Sequence, residues 1–340
     1  MHLLLITLLL TGIVFDQALA ADWTIVGGAN LFYTNDVALF SASRRLSLRD
    51  DPTQPVVDVT GQGNDMVAEP LVEAIRSFSS RWAPTDISLK SQGYIFARNP
   101  LFDHGSVRVR VGKEFDDRTR LRLYYFVLPD LFLARNTEHR SGQGLLVDER
   151  VTTNFWSAHL ERDLLPGVTL RLLSRYGVRD YNQAFAERNT HFWTVGPHID
   201  WEIRSWLTMT VGYHYERGLA DGRHDPQFAA DISYINHYVS TEWTARFSPQ
   251  TSLKMAFHYE NNIFTSNLVG DRRRGGAEEV YQVDVQWSHR LSDAWTASVG
   301  FQRSQRHITF EEHPVIDWNA FVGVQYRYES PGSRNRTSSS

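Results

Sequence analysis

Residues 281–287 read Tyr281-Gln282-Val283-Asp284-Val285-Gln286-Trp287, with every second residue apolar, a polar residue between each pair, and an aromatic at either end. Successive side chains of a β-strand point to opposite faces, so this stretch has one oily and one polar face. A soluble sandwich would gather its aromatics toward mid-core. Here they bracket two valines, as aromatic belts do at the two edges of a lipid-facing band.

Working outward, the same code recurs. Val107, Val109 and Val111 alternate with Arg108 and Arg110, and Leu121, Leu123, Tyr125 and Val127 alternate with Arg120 and Arg122. Leu207, Met209, Val211, Tyr213 and Tyr215 run against Thr208, Thr210, His214 and Glu216, and Leu253, Met255, Phe257 and Tyr259 against Lys254, His258 and Glu260. Trp295, Ala297, Val299 and Phe301 follow, then Ala320, Val322, Val324, Tyr326 and Tyr328. Trp193 and Trp201 bracket Val195 and Ile199. The aromatics assigned to membrane interfaces are therefore Trp193, Trp201, Tyr213, Tyr215, Tyr281, Trp287, Trp295, Phe301, Tyr326 and Tyr328.

Connections alternate in length. Short turns are expected at 116–118, 162–167, 203–206, 247–251 and 291–294, and longer ones at 129–149, 180–190, 217–229, 263–278 and 306–316. That rhythm is the one produced by short periplasmic turns and long extracellular loops. Strands are expected near 70–82, 87–98, 105–115, 119–128, 150–161, 168–179, 191–202, 206–216, 232–247, 251–262, 279–290, 294–305 and 317–328. Residues 22–42 read as one long strand or as a tight hairpin at Tyr33-Thr34-Asn35-Asp36. The even parity of single-chain bacterial barrels favours one strand, giving an all-β antiparallel up-and-down barrel of 14 strands, with 12 or 16 as the alternatives. Residues 66–78 also fit a helical stripe through Met66, Val67, Leu71, Val72, Ile75 and Phe78, so strand and helix both stay open there.

At the N-terminus, residues 3–15 form an apolar run too short to span a bilayer, followed by Ala18-Leu19-Ala20. This is the pattern of a cleaved signal peptide over residues 1–20. The division expected is a signal peptide at 1–20, a transmembrane barrel at 21–328 and a polar tail at 329–340. No cysteine occurs in 340 residues, which excludes disulfides, thiolate metal sites and a cysteine nucleophile. After residue 20 no apolar stretch is long enough for a transmembrane helix, and mean hydropathy is −0.37. A net charge of −4 argues against a nucleic-acid partner.

Architecturally the chain resembles monomeric Gram-negative outer-membrane channels. It also resembles a loose group of bacterial barrels whose first strand carries a Tyr-x-x-Asn/Asp-Val step, here Tyr33-Thr34-Asn35-Asp36-Val37. The resemblance implies an outer-membrane location with both termini periplasmic, contact with outer-membrane lipid and lipopolysaccharide, and recognition by the barrel-assembly machinery through Tyr326 and Tyr328.

The polar face of each strand is the expected lumen. Arg108, Arg110, Arg120, Arg122, Arg171 and Arg175 would form a basic wall, and Glu216, Glu242, Glu260 and Asp284 an acidic wall facing it. Such walls impose a transverse field on a permeating solute, or pair across a filled barrel and brace it. The function expected is a porin-like channel for small hydrophilic or charged solutes. The rivals are a barrel that sheathes or docks a partner in a secretion or electron-transfer complex, and an outer-membrane lipid-modifying enzyme. Ser157 and His159 share a face, as do Ser288 and Arg290, and nothing marks them as reactive. His198 with Asp200, and His237, His258 and His289, show no recurrent ligand spacing, so no metal, cofactor or catalytic residue is assigned. The run Asp271-Arg272-Arg273-Arg274-Gly275-Gly276 reads either as a loop that grips lipopolysaccharide phosphates or as a solvated loop tip.

Overall fold

The alternation at 281–287 occupies the middle of a longer strand, and thirteen others pair around it. The structure is a computed structural model that describes residues 22–38, 40, 63–78, 85–228 and 230–330. In chain order the strands are β1 (Asp22–Thr34), β2 (Asp65–Phe78), β3 (Thr85–Phe96), β4 (His104–Asp116), β5 (Thr119–Thr137), β6 (Leu146–Leu165) and β7 (Val168–Tyr181). They continue with β8 (Thr190–Arg204), β9 (Leu207–Ala220), β10 (Tyr234–Arg246), β11 (Thr251–Phe264), β12 (Ala277–Arg290), β13 (Trp295–Ile308) and β14 (Val315–Glu329). Each pairs antiparallel with its sequence neighbours, and β1 pairs with β14, so the sheet closes. The seam runs from Thr24 opposite Glu329 to Thr34 opposite Asn319. Beyond it, Trp23 and Ser330 exchange backbone and side-chain hydrogen bonds at 2.9 and 3.0 Å. Closure leaves no sheet edge with unpaired backbone groups, which hydrocarbon could not satisfy.

At the end where β1 starts and β14 stops, the terminal end, the turns are short: 117–118, 166–167, 205–206, 247–250 and 291–294. Pro166 and Gly167 make one of them, with Gly167 at φ +76°, the conformation that a type II turn requires after proline. Connections at the opposite, loop end are longer and include three 3₁₀ turns, at Pro100–Phe102, Gln183–Arg188 and Pro226–Phe228.

The outer face carries the band that the alternation predicts, with Val283, Val285, Val195, Ile199, Val211, Val299 and Val322 all exposed. Rings flank it on both sides. Toward the terminal end Trp295 lies 4.9 Å from Tyr326 and Phe247 5.7 Å from Trp287. Toward the loop end Tyr125 meets Trp156 at 4.6 Å, Trp193 meets Tyr215 at 5.3 Å and Tyr259 meets Tyr281 at 4.9 Å. On the loop side tyrosine hydroxyls reach outward polar groups: Tyr176 to His191 Nδ1 at 3.0 Å, Tyr213 to His237 Nδ1 at 2.9 Å and Tyr259 to Glu279 at 3.1 Å. A ring half in oil with its hydroxyl in a polar layer is the interfacial role of tyrosine.

Strand ends shift by a few residues throughout, and four differences from expectation change the reading. Residues 66–78 are strand, and β2 begins at Asp65, five residues before the expected start; residues 79–82 lie outside the described set, as do 1–21 and 331–340. Glu329, expected to open the polar tail, is the last residue of β14. Residues 129–149 are mostly not a loop, because β5 continues to Thr137 and β6 starts at Leu146. Two irregularities in the β5–β6 register, at Leu128/Leu131 and Phe132/Ala134, let the ladder run on while Leu131, Phe132, Leu133 and Ala134 all become buried. Such bulges shift the inward and outward phase and hide the alternation from sequence. Of residues 22–42, of which 39, 41 and 42 lie outside the described set, β1 takes only Asp22–Thr34, and the chain then turns into the barrel instead of running on as strand or doubling back in a tight hairpin.

Candidate functional site in the barrel lumen

Every residue assigned to the two lumen walls points inward, by its parity in the registers. All ten interface aromatics point outward. The interior is divided lengthwise.

In the terminal half the charged side chains are paired but wet. Arg110 meets Asp86 at 2.7 Å, Arg120 meets Asp163 at 2.8 Å and Glu161 at 3.5 Å, and Arg122 meets Glu161 at 2.7 Å. Across the barrel Lys254 meets Glu242 at 2.7 Å. Side chains of Arg110, Asp86, Arg120, Asp163, Arg122, Asp200, Lys254 and Glu242 remain 20–36% exposed although they face inward. Solvent-accessible space therefore adjoins them inside the barrel, and this half is the vestibule of the lumen. Arg108 lies over the ring of Tyr124 at 5.8 Å.

In the loop half the same chemistry is dry. Arg179, which was not among the expected wall residues, meets Glu216 at 3.4 Å with side-chain exposures of 3% and 1%. Tyr234 donates to Glu216 Oε1 at 2.5 Å and Thr194 donates to Oε2 at 2.5 Å, while Arg179 Nη1 donates to the Tyr234 hydroxyl at 2.5 Å. Arg188 meets Glu149 at 2.7 Å and Arg306 meets Glu278 at 3.8 Å. The four carboxylates expected as an acidic wall thus do not act together. Glu216 is locked to Arg179, Glu242 to Lys254, Asp284 lies 3.1 Å from His258, and buried Glu260 accepts a 2.6 Å hydrogen bond from Asn236.

The interior of the loop half also holds an apolar core, on faces that the alternation assigns to a polar lumen. Phe32, Tyr94, Phe96, Phe126, Leu128, Phe155 and Phe192 project inward from the strands. Phe102, Phe185, Val37, Ala38 and Phe40 join them from the connections. The segment after β1 enters this core through the Tyr33–Val37 step. Asn35 takes the backbone of Trp318 in two bonds, at 3.3 and 2.7 Å. Asp36 Oδ1 accepts the Ala38 N–H at 3.0 Å, and Val37 N–H donates to Gly63 O at 3.1 Å. Phe40 then lies against Phe32 at 5.3 Å, Phe96 at 5.8 Å and Tyr94 at 6.1 Å. Sequence held the signal, since Tyr124 and Phe126 share the face of Arg120 and Arg122, and Phe155 that of Ser157.

Where the two halves meet, a row of imidazoles lines the wall. Ser157 Oγ and His159 Nε2 are hydrogen-bonded at 2.9 Å, and Tyr124 packs on the His159 ring at 4.5 Å. His159 Nδ1 has no hydrogen-bond partner, so the carboxylate that orients the base in a serine–histidine–acid set is missing there. His198 Nε2 lies 2.6 Å from His214 Nε2, and Tyr238 OH lies 2.7 Å from His258 Nδ1. His237 and His289 face outward. Among the described residues no group of three or more His, Asp or Glu side chains could hold a metal.

No protein-family model and no curated protein matches the chain. Solved structures do. The outer membrane channel DcaP of Acinetobacter baumannii superposes with a TM-score of 0.53 at 10% identity, over 92% of this chain and 99% of that one. A bacterial polysaccharide outer membrane secretin reaches 0.47 at 12% identity, over 92% and 100%. At such identity the likeness to DcaP concerns the fold.

The arginine run at 271–276 is a folded turn. Asp271 Oδ1 accepts the Arg273 N–H at 2.9 Å, and Asp271 Oδ2 accepts the Asp231 N–H at 2.8 Å. Arg272 lies over Phe310 at 4.7 Å, and Arg273 is buried over Phe264 at 5.9 Å. Two of the three guanidinium groups are therefore engaged with rings.

Proposed function

We propose that the chain is an outer-membrane channel through which small hydrophilic or charged solutes pass passively. The observation that carries this reading is the terminal half of the lumen, where charged side chains enclosed by a complete barrel wall stay a fifth to a third exposed. A barrel serving only as a scaffold has no need for a wet, charged interior on one side of a lipid-matched band. The shared fold with DcaP, an outer membrane channel, supports it. The basic groups concentrate on β4–β7, so the field in the vestibule comes mainly from that wall.

The outer band suits outer-membrane lipid, and the short turns at the terminal end suit the periplasmic side, placing both termini there. Maleimide labelling of single cysteines introduced at Ser205 and at Gln143 tests this orientation. In intact cells, an impermeant reagent should reach only position 143.

Recording from the refolded chain in planar bilayers tests the channel. Stepwise conductance is expected, and its complete absence overturns the reading. The packed loop half favours one rival, a braced barrel that docks or sheathes a partner; that rival predicts no conductance steps. A lipid-modifying activity gains nothing from Ser157 and His159, which face the lumen and not the lipid.

A further inference from the structure

The wall between vestibule and packed core concentrates basic nitrogen on one stretch of four strands. His159 on β6, Arg171 and Arg175 on β7, His198 on β8 and His214 on β9 all face inward from four consecutive strands. Register places Arg171 opposite His198 and Arg175 opposite Ser157, and His159 opposite Leu173 between the two arginines. All five are buried, at 2–6% exposure, and they lie within electrostatic reach of one another. Arg171 meets Asp200 at 3.5 Å, and Glu161 lies opposite it in the β6–β7 register.

Two features show that the cluster is built. The His198 and His214 rings meet over glycine: a Cβ at Gly212 would fall 2.8 Å from the His198 ring, and one at Gly196 would strike the Tyr213 backbone carbonyl and fall 2.8 Å from the His214 ring. On β9 the omitted side chain makes room for the His198 ring, and on β8 for the close approach of the β9 backbone together with the His214 ring. Arg175 is held flat over Phe155 at 4.3 Å, which fixes the guanidinium plane.

The second feature is unmet hydrogen-bonding capacity. His214 is 2% and His159 3% exposed, and each uses Nε2, toward His198 and Ser157. In both rings Nδ1 is buried with no partner. Where Nε2 accepts, the neutral ring carries its proton on Nδ1, and a protonated ring donates from Nδ1 in either case; in both states the ring is a buried donor with an acceptor still to meet. A buried donor left unmet is costly. The complement to two imidazole N–H donors among two guanidinium groups is an oxygen-rich anion.

We propose that His159, Arg171, Arg175, His198 and His214 form a binding site for a small oxyanion, such as inorganic phosphate or the carboxylate of a permeating solute, at the inner end of the vestibule. It rests on reading the lumen as a solute path, and it assigns that path a solute class. A site at this depth makes the anion dwell where the open half ends. A basic wall without such a site would only raise the local anion concentration.

The test is isothermal titration of the refolded full chain in detergent with sodium phosphate, at ionic strength held constant with chloride, with sulfate and acetate run beside it. Saturable binding of phosphate is expected. Arg175→Gln and His214→Asn, each checked for the heat-modifiable migration of a folded barrel, should weaken it about tenfold or more, where tenfold corresponds to about 1.4 kcal/mol. Arg327→Gln, at the far end of the lumen, should leave it unchanged. Acetate binding at comparable strength assigns the site to carboxylates generally; phosphate and sulfate binding without acetate assigns it to tetrahedral anions. Absence of saturable binding in the unmodified chain overturns the proposal, as does equal affinity in all variants. Conductance without binding removes the site and leaves the channel, and binding lost in Arg175→Gln without conductance does the reverse.

Discussion

Replacing Phe40 by alanine isolates the contribution of the inward-turned segment, because Phe40 belongs to no strand and its loss breaks no ladder hydrogen bond. The ring is fully buried and touches three other rings, Phe32, Phe96 and Tyr94, at 5.3, 5.8 and 6.1 Å. Truncating a buried phenylalanine costs about 3–5 kcal/mol, and three edge-on partners place this site toward the upper part of that range. At about 1.4 kcal/mol per tenfold, the docked arrangement of this segment loses a factor of about a hundred to a few thousand against undocked ones. Among the described residues Val37 and Ala38 stay buried, and the hydrogen bonds around Asp36 contribute about 0.5–1.5 kcal/mol net each, so the Asp36–Ala38 turn stays docked while the chain beyond it loses its aromatic anchor. The strand ladder stays intact, so heat-modifiable migration on gels should not change. Single-channel recording should show larger and noisier conductance steps, while Leu268→Ala, at a buried loop residue outside this core, should behave as the unmodified chain does. A folded Phe40→Ala protein with unaltered step size and noise would refute the idea that this segment narrows the lumen.

Removing the Glu216 carboxylate should be among the most damaging single changes in the barrel. Glu216→Ala leaves Arg179 buried without its counter-charge, a loss of about 3–5 kcal/mol readable as a lowered urea midpoint in detergent; a change under about 1 kcal/mol would contradict the network described. On the outer band, Val283→Arg should cost about 2–4 kcal/mol near the hydrocarbon midplane, whereas Thr244→Arg, inward in the vestibule, should stay within about 0.5 kcal/mol, and equal penalties would mean the facing is wrong. In the β5–β6 connection, hydrogen bonds from the Ser141 side chain and backbone hold the Glu138 carboxyl below its ordinary 4.5. That stabilisation is present above the ordinary value and is lost as pH falls through the lowered one. A spin label at Gln143→Cys, placed without interference in a cysteine-free chain, should therefore sharpen only under acid conditions, and sharpening already at neutral pH would disprove it.

Facing was legible where a strand obeys strict alternation. Tyr281, Val283, Val285 and Trp287 announced an oily face whatever the register, and closure with even parity then followed from the solvent. The two missed features have physical reasons. Leu131–Ala134 read as loop from sequence because a bulge changes phase, and a period-two pattern fails for every residue past the shift. The inner core was missed because alternation separates only two faces. Phe126, Phe155 and Phe192 share the parity of arginines, and nothing local tells an inward phenylalanine that meets water from one that meets another phenylalanine across the lumen.

That ambiguity also explains why the charge pattern misled. Arg122–Glu161 and Arg179–Glu216 are both arginine–carboxylate pairs between inward-facing residues, and each would be written the same way from sequence. The first keeps an arginine one-third exposed, where solvent screens it and a passing ion can compete for it; the second is sealed by Tyr234, Thr194 and Phe192 and works as a brace. Which of the two a pair becomes is decided by what fills the lumen beside it. Here that filler is a set of phenylalanines drawn from β1, β3, β5, β6, β8 and the segment after β1. The lumen charge therefore acquires its meaning from apolar residues far away in sequence: they set the depth at which water stops, and the histidine–arginine cluster lies at that depth.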